Sequence, residues 1–250
     1  MNKVFNTPKI KLAGDSAVIV DIGDNIHPEI NFKVHNFCST LEKNKPTWIK
    51  EIIPAYKGLL IYFNPLEIEL SELNSYINEN YNKISESTKT DNKLITIPTY
   101  YGGEFGPDLD NVIKHTKLTK NEVIKTHTSV NYLVYAIGFS PGFPYLGGLP
   151  EKLNTPRLKN PRTKIPAGSV AIAETQTGIY PSATPGGWQI IGKTPLKLFD
   201  PKRNPPVLLN PGDRIKFEPI KSIKLFKTLE KQISINKYKI KTDEIKTDEI

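Results

Sequence analysis

Gly138–Pro201 reads GFSPGFPYLGGLPEKLNTPRLKNPRTKIPAGSVAIAETQTGIYPSATPGGWQIIGKTPLKLFDP. Short β-branched and aromatic runs alternate here with Gly and Pro turns. Ser169–Ala173, Gly178–Tyr180, Trp188–Ile191 and Leu196–Phe199 read as strands. Tyr132–Ile137 before this stretch and Arg214–Glu218 after it follow the same pattern. Short strands at this spacing predict a barrel or a sandwich. Two short helices precede them. Asp108–His115 carries Leu109, Val112 and Ile113 on one face, and Thr119-Lys120-Asn121-Glu122 is a capping box that opens a helix running to about Thr126.

Further upstream the composition changes. Residues 1–97 hold five Pro and three Gly, whereas residues 98–219 hold sixteen and thirteen. The shift predicts a boundary near residue 92, inside the polar run Ser85–Lys93, with domains at 1–92 and 93–220. The first of these alternates element types. Ser16–Ile22 reads as a strand, and Pro28 opens a helix on which Ile30, Val34, Phe37 and Leu41 recur at helical spacing. Trp48–Ile53 and Gly58–Phe63 read as strands, Leu66–Tyr81 as a helix, and Leu94–Pro98 as a last strand. That order is a split βαβ, ferredoxin-like pattern. Residues 221–250 form a lysine-rich tail in two parts: 221–240 alternate weakly and read as a further strand or helix, whereas 241–250, KTDEI written twice, read as a disordered end.

The chain has 250 residues, 38% of them hydrophobic and 9% aromatic, which excludes a wholly disordered polymer. The longest apolar run is far short of the ~20 residues of a membrane helix, and the N-terminus lacks a secretory h-region. The single Cys38 permits no internal disulfide and fits a reducing, cytoplasmic location. Net charge is +8, but the tail's eight Lys and five acids supply +3 of it. No basic stretch is interleaved with stacking aromatics, so nucleic acid is not an expected partner.

Chemistry is sparse outside 138–192. Gly187–Thr194 (GWQIIGKT) fits the phosphate-loop spacing, yet its Trp-Gln-Ile-Ile spacer reads as a strand and Pro195 follows instead of a helix. The four His are dispersed, with no metal-ligand spacing. The run Gly138–Gly148 is an aromatic loop in which glycines such as Gly142 let a ligand approach backbone amides, flanked by Phe143 and Tyr145. Gln176, Tyr180 and Gln189 lie on strands nearby and suit a small polar ligand; a heavily turned structural loop is the competing reading. Thirty Lys stand against four Arg, and Arg157 and Arg162 follow this loop. Arg offers two parallel donors to a carboxylate or phosphate, so these two either grip such a group or pin the loop to the backbone.

The quoted run resembles the B-type subunit family of 5-oxoprolinase, also called KipI or allophanate hydrolase subunit 1. The resemblance extends upstream through IPTYYGGEFGPDLDNVI and His127-Thr128-Ser129 to GDSAVIVDIGD, covering about residues 9–220. It implies an α+β chain: a small α/β N-terminal domain, here ferredoxin-like, then a cyclophilin-like β-barrel. It implies two partner proteins, one C-type (KipA-like) and one A-type. With these the chain forms an ATP-dependent 5-oxoprolinase opening 5-oxo-L-proline to L-glutamate. ATP is bound by the complex, on a component the sequence does not identify. Related domains occur in the carboxyltransferase part of urea carboxylase. An alternative role in the family is a KipI-type inhibitor of a sensor histidine kinase. Under the enzymatic reading Arg157 and Arg162 hold a carboxylate or phosphate and His127 shuttles a proton, while Gln176 and Gln189 bond the lactam. Glu174 stands where many relatives have a small residue; it either adds a carboxylate near that substrate or is a solvated turn residue.

Overall fold

The computed structural model describes residues 3–84, 92–234 and 237–244. The chain divides into two compact units, Met1–Thr90 and Asp91–Ile250. Most of the polar run expected to carry the boundary lies outside the described residues.

In the first unit, β1 (Val4–Leu12), β2 (Ala17–Gly23), β3 (Ile49–Pro54) and β4 (Gly58–Phe63) form an antiparallel sheet of order β1-β2-β4-β3. Helices α1 (Pro28–Lys43) and α2 (Leu70–Tyr81) cover one face. Strand alternation sends Val18, Val20, Ile22, Leu59, Ile61 and Phe63 into that core. Each such fully buried side chain contributes about 1.5–3 kcal/mol. Phe37 of α1 meets Tyr81 of α2 edge-on at 5.3 Å, and Pro28 sits at the first helical turn, where no amide partner is lost.

The spatial order is that of a split βαβ sheet, but the outer strand is β1. The stretch Leu94–Pro98, expected to fill that place, belongs to the second unit. A tight turn explains the difference. Gly14 takes φ +78°, and the Ala13 amide donates to the Ala17 carbonyl at 2.8 Å, so β1 folds straight back on β2. With Pro8, Lys9 and Lys11, β1 has the composition of an edge strand and little apolar periodicity.

The second unit is built on β5 (Lys93–Tyr101), β6 (Tyr132–Ile137), β7 (Pro144–Gly147), β9 (Ser169–Ala173), β10 (Gln176–Ile179), β12 (Gln189–Lys193) and β13 (Arg214–Pro219). Their order is β12-β9-β10-β7-β6-β13-β5, and pairing of β12 with β5 closes seven strands into a barrel. This is the cyclophilin-like half of a mixed α+β chain. Ile97, Val134, Leu146, Val170, Ile172, Ile179, Ile191, Ile215 and Phe217 fill its interior. A separate pair, β8 (Arg162–Ile165) and β11 (Thr184–Gly186), lies outside it. Helices α3 (Leu109–Thr116) and α4 (Lys120–Thr128) also pack on the barrel, and Thr119 and Glu122 make the expected capping box.

Three expectations fail here. The aromatic loop at 138–148 contains β7. Leu196–Phe199 forms no strand, only a single bridge from Phe199 to Val207. Prolines at 195, 201, 205 and 206 remove donors there, and Arg203 donates to the carbonyls of Lys197, Leu198, Pro205 and Pro206, of which Leu198 and Pro206 also accept from the Leu208 and Asp200 amides. The tail carries regular structure into its first repeat. Helix α5 (Ile223–Ser234) buries Phe226 against Phe105 at 4.6 Å, and β14 (Thr242–Glu244) pairs with the first half of β5. The second KTDEI lies outside the described residues. Pro98 has no amide to extend that ladder, and beyond it Tyr100 and Tyr101 turn to β12.

Candidate functional site

Alternation along the barrel strands separates two environments. Thr177 and Ile179 of β10 point inward, so Gln176 and Gly178 point outward. On that outer side Phe143, Ile165, Ala171, Ala173, Tyr180, Trp188 and Ile190 form a second apolar cluster, with Tyr145 packed on its edge. The Phe143 ring lies 5.0 Å from Tyr145, 5.2 Å from Tyr180 and 5.7 Å from Trp188, all edge-on. Small residues make room for these rings. A Cβ on Gly178 would press on both Phe143 and Trp188, and one on Gly186 would collide with the Tyr180 hydroxyl. The pair β8–β11 thus lies over the cluster through Ile165 and Gly186.

A buried carboxylate fastens this layer. Asp108 accepts two parallel bonds from Arg162, at 2.8 and 2.7 Å, and a third from the Ile190 amide at 2.8 Å. Arg162 therefore pins β8 to the barrel and does not reach for substrate, which corrects the expected catalytic role. Asp108 was missed in the sequence because it reads as a helix N-cap. It occupies that position but makes no capping bond, its oxygens being used across the fold.

His127 is also corrected. It is fully buried inside the barrel, its ring tilted against Phe217 at 4.4 Å and Tyr132 at 5.4 Å. Its Nε2 lies 3.0 Å from Thr177 Oγ1, and its Nδ1 lies 2.8 Å from the Tyr101 hydroxyl. The one Thr177 proton goes to the Ala171 carbonyl, so Nε2 must donate and Nδ1 must accept from Tyr101. Burial depresses the ring pKa to about 3. A neutral imidazole with both nitrogens engaged is a core element, not a proton shuttle.

Gly142 likewise serves the fold. Its φ is +81°, and a Cβ there would lie 3.0 Å from Phe199 Cβ and 3.4 Å from the Leu198 carbonyl, so the close approach is to protein backbone rather than to a ligand. Phe143 and Tyr180 are buried and form the base of the site, not its contact surface.

What reaches solvent is a rim. Residues 155–158 run along the barrel as a strap: the Glu174 amide donates to the Thr155 carbonyl at 2.7 Å, and the Leu158 amide to the Gly187 carbonyl at 2.7 Å. Gln189, only 6% exposed, supports the strap from below by donating to the Pro156 carbonyl at 2.9 Å, and its buried Oε1 has no hydrogen-bond partner among the described residues. Gln189 is therefore a brace for the strap and not a lactam contact, a further correction of a residue's role. The strap presents Arg157, whose side chain is 57% exposed, with Nε 3.6 Å from Glu174 Oε1; the Glu174 side chain is 65% exposed. Tyr145 and Gln176 are half-buried beside them. Burial raises the Tyr145 phenol pKa and pushes Tyr180 up to about 12, with the nearby Arg157 charge opposing both shifts. Both phenols stay protonated donors at neutral pH. The rim thus offers one guanidinium, one carboxylate, a phenol and an amide above an aromatic base, an arrangement fitted to a small polar ligand carrying an anionic group.

Among the described residues no group of three or more His, Cys, Asp or Glu is set to hold a metal ion. Gln189–Lys193 of the phosphate-loop match is strand β12, and a Cβ on Gly192 would meet the Tyr100 carbonyl. Lys193 Nζ lies 5.4 Å above the Phe105 ring. No helix of the described residues is long and apolar enough to cross a membrane.

The chain thus combines a closed barrel carrying an overlying strand pair with a separate sheet-and-helix unit. Over 97% of this chain the fold matches the crystal structure of K. lactis urea amidolyase, with a TM-score of 0.81, 20% identity and 17% of that longer chain covered. Residues 8–209 match the family model described as carboxyltransferase domain, subdomain C and D. The chain is 42% identical over 219 residues to the 5-oxoprolinase B-type subunit of Bacillus subtilis, covering 84% of this chain and 91% of the relative. It is 41% identical over 211 residues to the corresponding 5-oxoprolinase protein of Escherichia coli O157:H7, covering 84% and 95%. The chain belongs to the family of 5-oxoprolinase B-type subunits, a branch of the carboxyltransferase subdomain C and D proteins.

Proposed function

We propose that this chain is the B-type component of an ATP-dependent 5-oxoprolinase, working with A-type and C-type subunits to open 5-oxo-L-proline to L-glutamate. The names of its relatives support the assembly. The observation that carries the site is the exposed Arg157 on its strap, beside Tyr145, Glu174 and Gln176.

A lactam amide is resonance-stabilised, so its hydrolysis needs activation. ATP supplies that by phosphorylating the lactam oxygen as ADP leaves; water then adds to the imidate-like carbon, the ring C–N bond breaks with its nitrogen taking up a proton, and the resulting acyl phosphate is hydrolysed to carboxylate and phosphate. The residues of this chain position the substrate and stabilise charge. Arg157 holds the carboxylate with two parallel donors. The Tyr145 hydroxyl and the Gln176 amide donate to oxygen atoms of the ring system. The aromatic base shields the reacting face from bulk water. The phosphate-loop match does not fit a nucleotide, so no ATP step is assigned to this chain.

The test is co-expression with the two partner proteins and an assay of ATP-dependent glutamate release from 5-oxoproline. Turnover is expected from the assembly and not from this chain alone. Robust turnover by the lone chain would overturn the reading of it as one part of a complex. An assembly that binds a sensor histidine kinase but releases no glutamate would favour the inhibitor role instead.

A further inference from the structure

Glu174 and Thr175 form a two-residue connection, because Ala173 pairs with Gln176 across β9 and β10. Such hairpins favour Gly, Asn or Asp at positions of positive φ. Glu174 has φ +53°, one of three such residues other than glycine among the described residues. Lys117 has an ordinary reason for it, as the left-handed C-cap of α3. Glu174 has none in the turn, which a glycine would make without strain. A strained residue held in place by its surroundings points to a use for its side chain, and the Glu174 backbone is so held, by its 2.7 Å bond to Thr155.

That side chain is not consumed by the fold. At 3.6 Å from Arg157 Nε it is beyond hydrogen-bond length, and both partners are more than half exposed. An exposed pair of this kind adds little stability. It presents instead an anion and a cation side by side on one rim. A 2-carboxylated lactam has the complementary pattern, since its ring N–H and its carboxylate sit on the same carbon.

We propose that Glu174 is a specificity-determining residue: its carboxylate accepts the ring N–H of a 2-carboxylated lactam whose carboxylate is held by Arg157. This rests on the site proposed above. It also gives the product a place, because ring opening turns that N–H into an ammonium facing the same carboxylate. An oxygen heterocycle of the same shape would instead set a ring oxygen against Glu174, and two acceptors repel.

The experiment compares two probes on the assembled enzyme: 5-oxo-L-proline, and 5-oxotetrahydrofuran-2-carboxylate, the lactone in which oxygen replaces the N–H, measured as a competitive inhibitor. The wild type is expected to bind the lactam roughly ten- to a hundredfold more tightly, the worth of one charged hydrogen bond. Glu174→Gly should weaken the lactam by about that factor and leave the lactone unchanged or tighter, while raising the melting temperature by relieving the turn. Glu174→Gln, which keeps an acceptor oxygen, should retain part of the preference. Equal affinities in the wild type, or equal losses for both probes in Glu174→Gly, would overturn the role of Glu174 and leave the site standing. Arg157→Lys should weaken both probes alike. Unchanged affinity for both in that variant would overturn the site itself.

Discussion

The interior of the barrel and its outer rim each hold titratable side chains, and they are treated in opposite ways. Inside, His127, Tyr101 and Thr177 satisfy one another in a sealed chain of hydrogen bonds ending on the Ala171 carbonyl. Outside, Arg157 and Glu174 stand near each other without a hydrogen bond and face solvent. A residue type associated with catalysis is thus committed to structure where its partners are complete, and is available for chemistry where they are not. The two arginines repeat the lesson. Arg162 is held in a bidentate pair by Asp108, whereas Arg157 stands 3.6 Å from Glu174.

This contrast can be broken by substitution. The largest effect is expected at Asp108. Asp108→Ala would strand the Arg162 guanidinium and leave the Ile190 amide unpaired, so unfolding titrations should show a loss of about 3 kcal/mol or more. Next comes His127→Phe, which keeps an aromatic ring but orphans the Tyr101 hydroxyl; a loss of about 2 kcal/mol is expected.

The same variant sharpens the pH behaviour. In the folded chain the His127 pKa is depressed from 6.5 to about 3. Above 6.5 the ring is neutral in both states and imposes no penalty. Below it the unfolded chain takes up the proton and the folded chain does not, so stability falls by up to about 1.4 kcal/mol per pH unit. Melting curves of the wild type between pH 6.5 and pH 3 should carry that slope, and those of His127→Phe should lack its share. Equal slopes would show that another group governs the acid limb. The smallest effect is at the rim. Glu174→Gly should stabilise the fold by about 1 kcal/mol, seen as a small rise in melting temperature.

Much of the fold was legible because it is periodic. The amphipathic spacing of α1 and α2 and the apolar runs of β2, β4, β6, β9 and β13 sit close to where the pattern puts them. β1, β8, β11 and β14 are short or carry Lys and Pro, and only a neighbouring strand makes them strands. The site divides likewise. Arg157, Tyr145, Glu174 and Gln176, the residues of the proposed site, lie on segments close in sequence that hairpins bring together. The bond between Asp108 and Arg162 spans 54 residues and left no local trace. His127 gave a false signal because a buried histidine and a catalytic one look alike until their partners are known.

Arg157 is the residue proposed to read a ligand, whereas Arg162 holds the fold. Arg157→Lys and Arg162→Lys, each in the assembled enzyme, separate these roles because lysine keeps the charge and loses the planar pair of donors. Both kcat/KM for 5-oxoproline and melting temperature should be measured for each variant. Arg157→Lys should lower kcat/KM roughly ten- to a hundredfold at an unchanged melting temperature. Arg162→Lys should lower the melting temperature by several degrees while the folded enzyme keeps its kcat/KM. The reverse pattern, with kinetics lost in Arg162→Lys and wild-type kinetics in Arg157→Lys, would contradict this account.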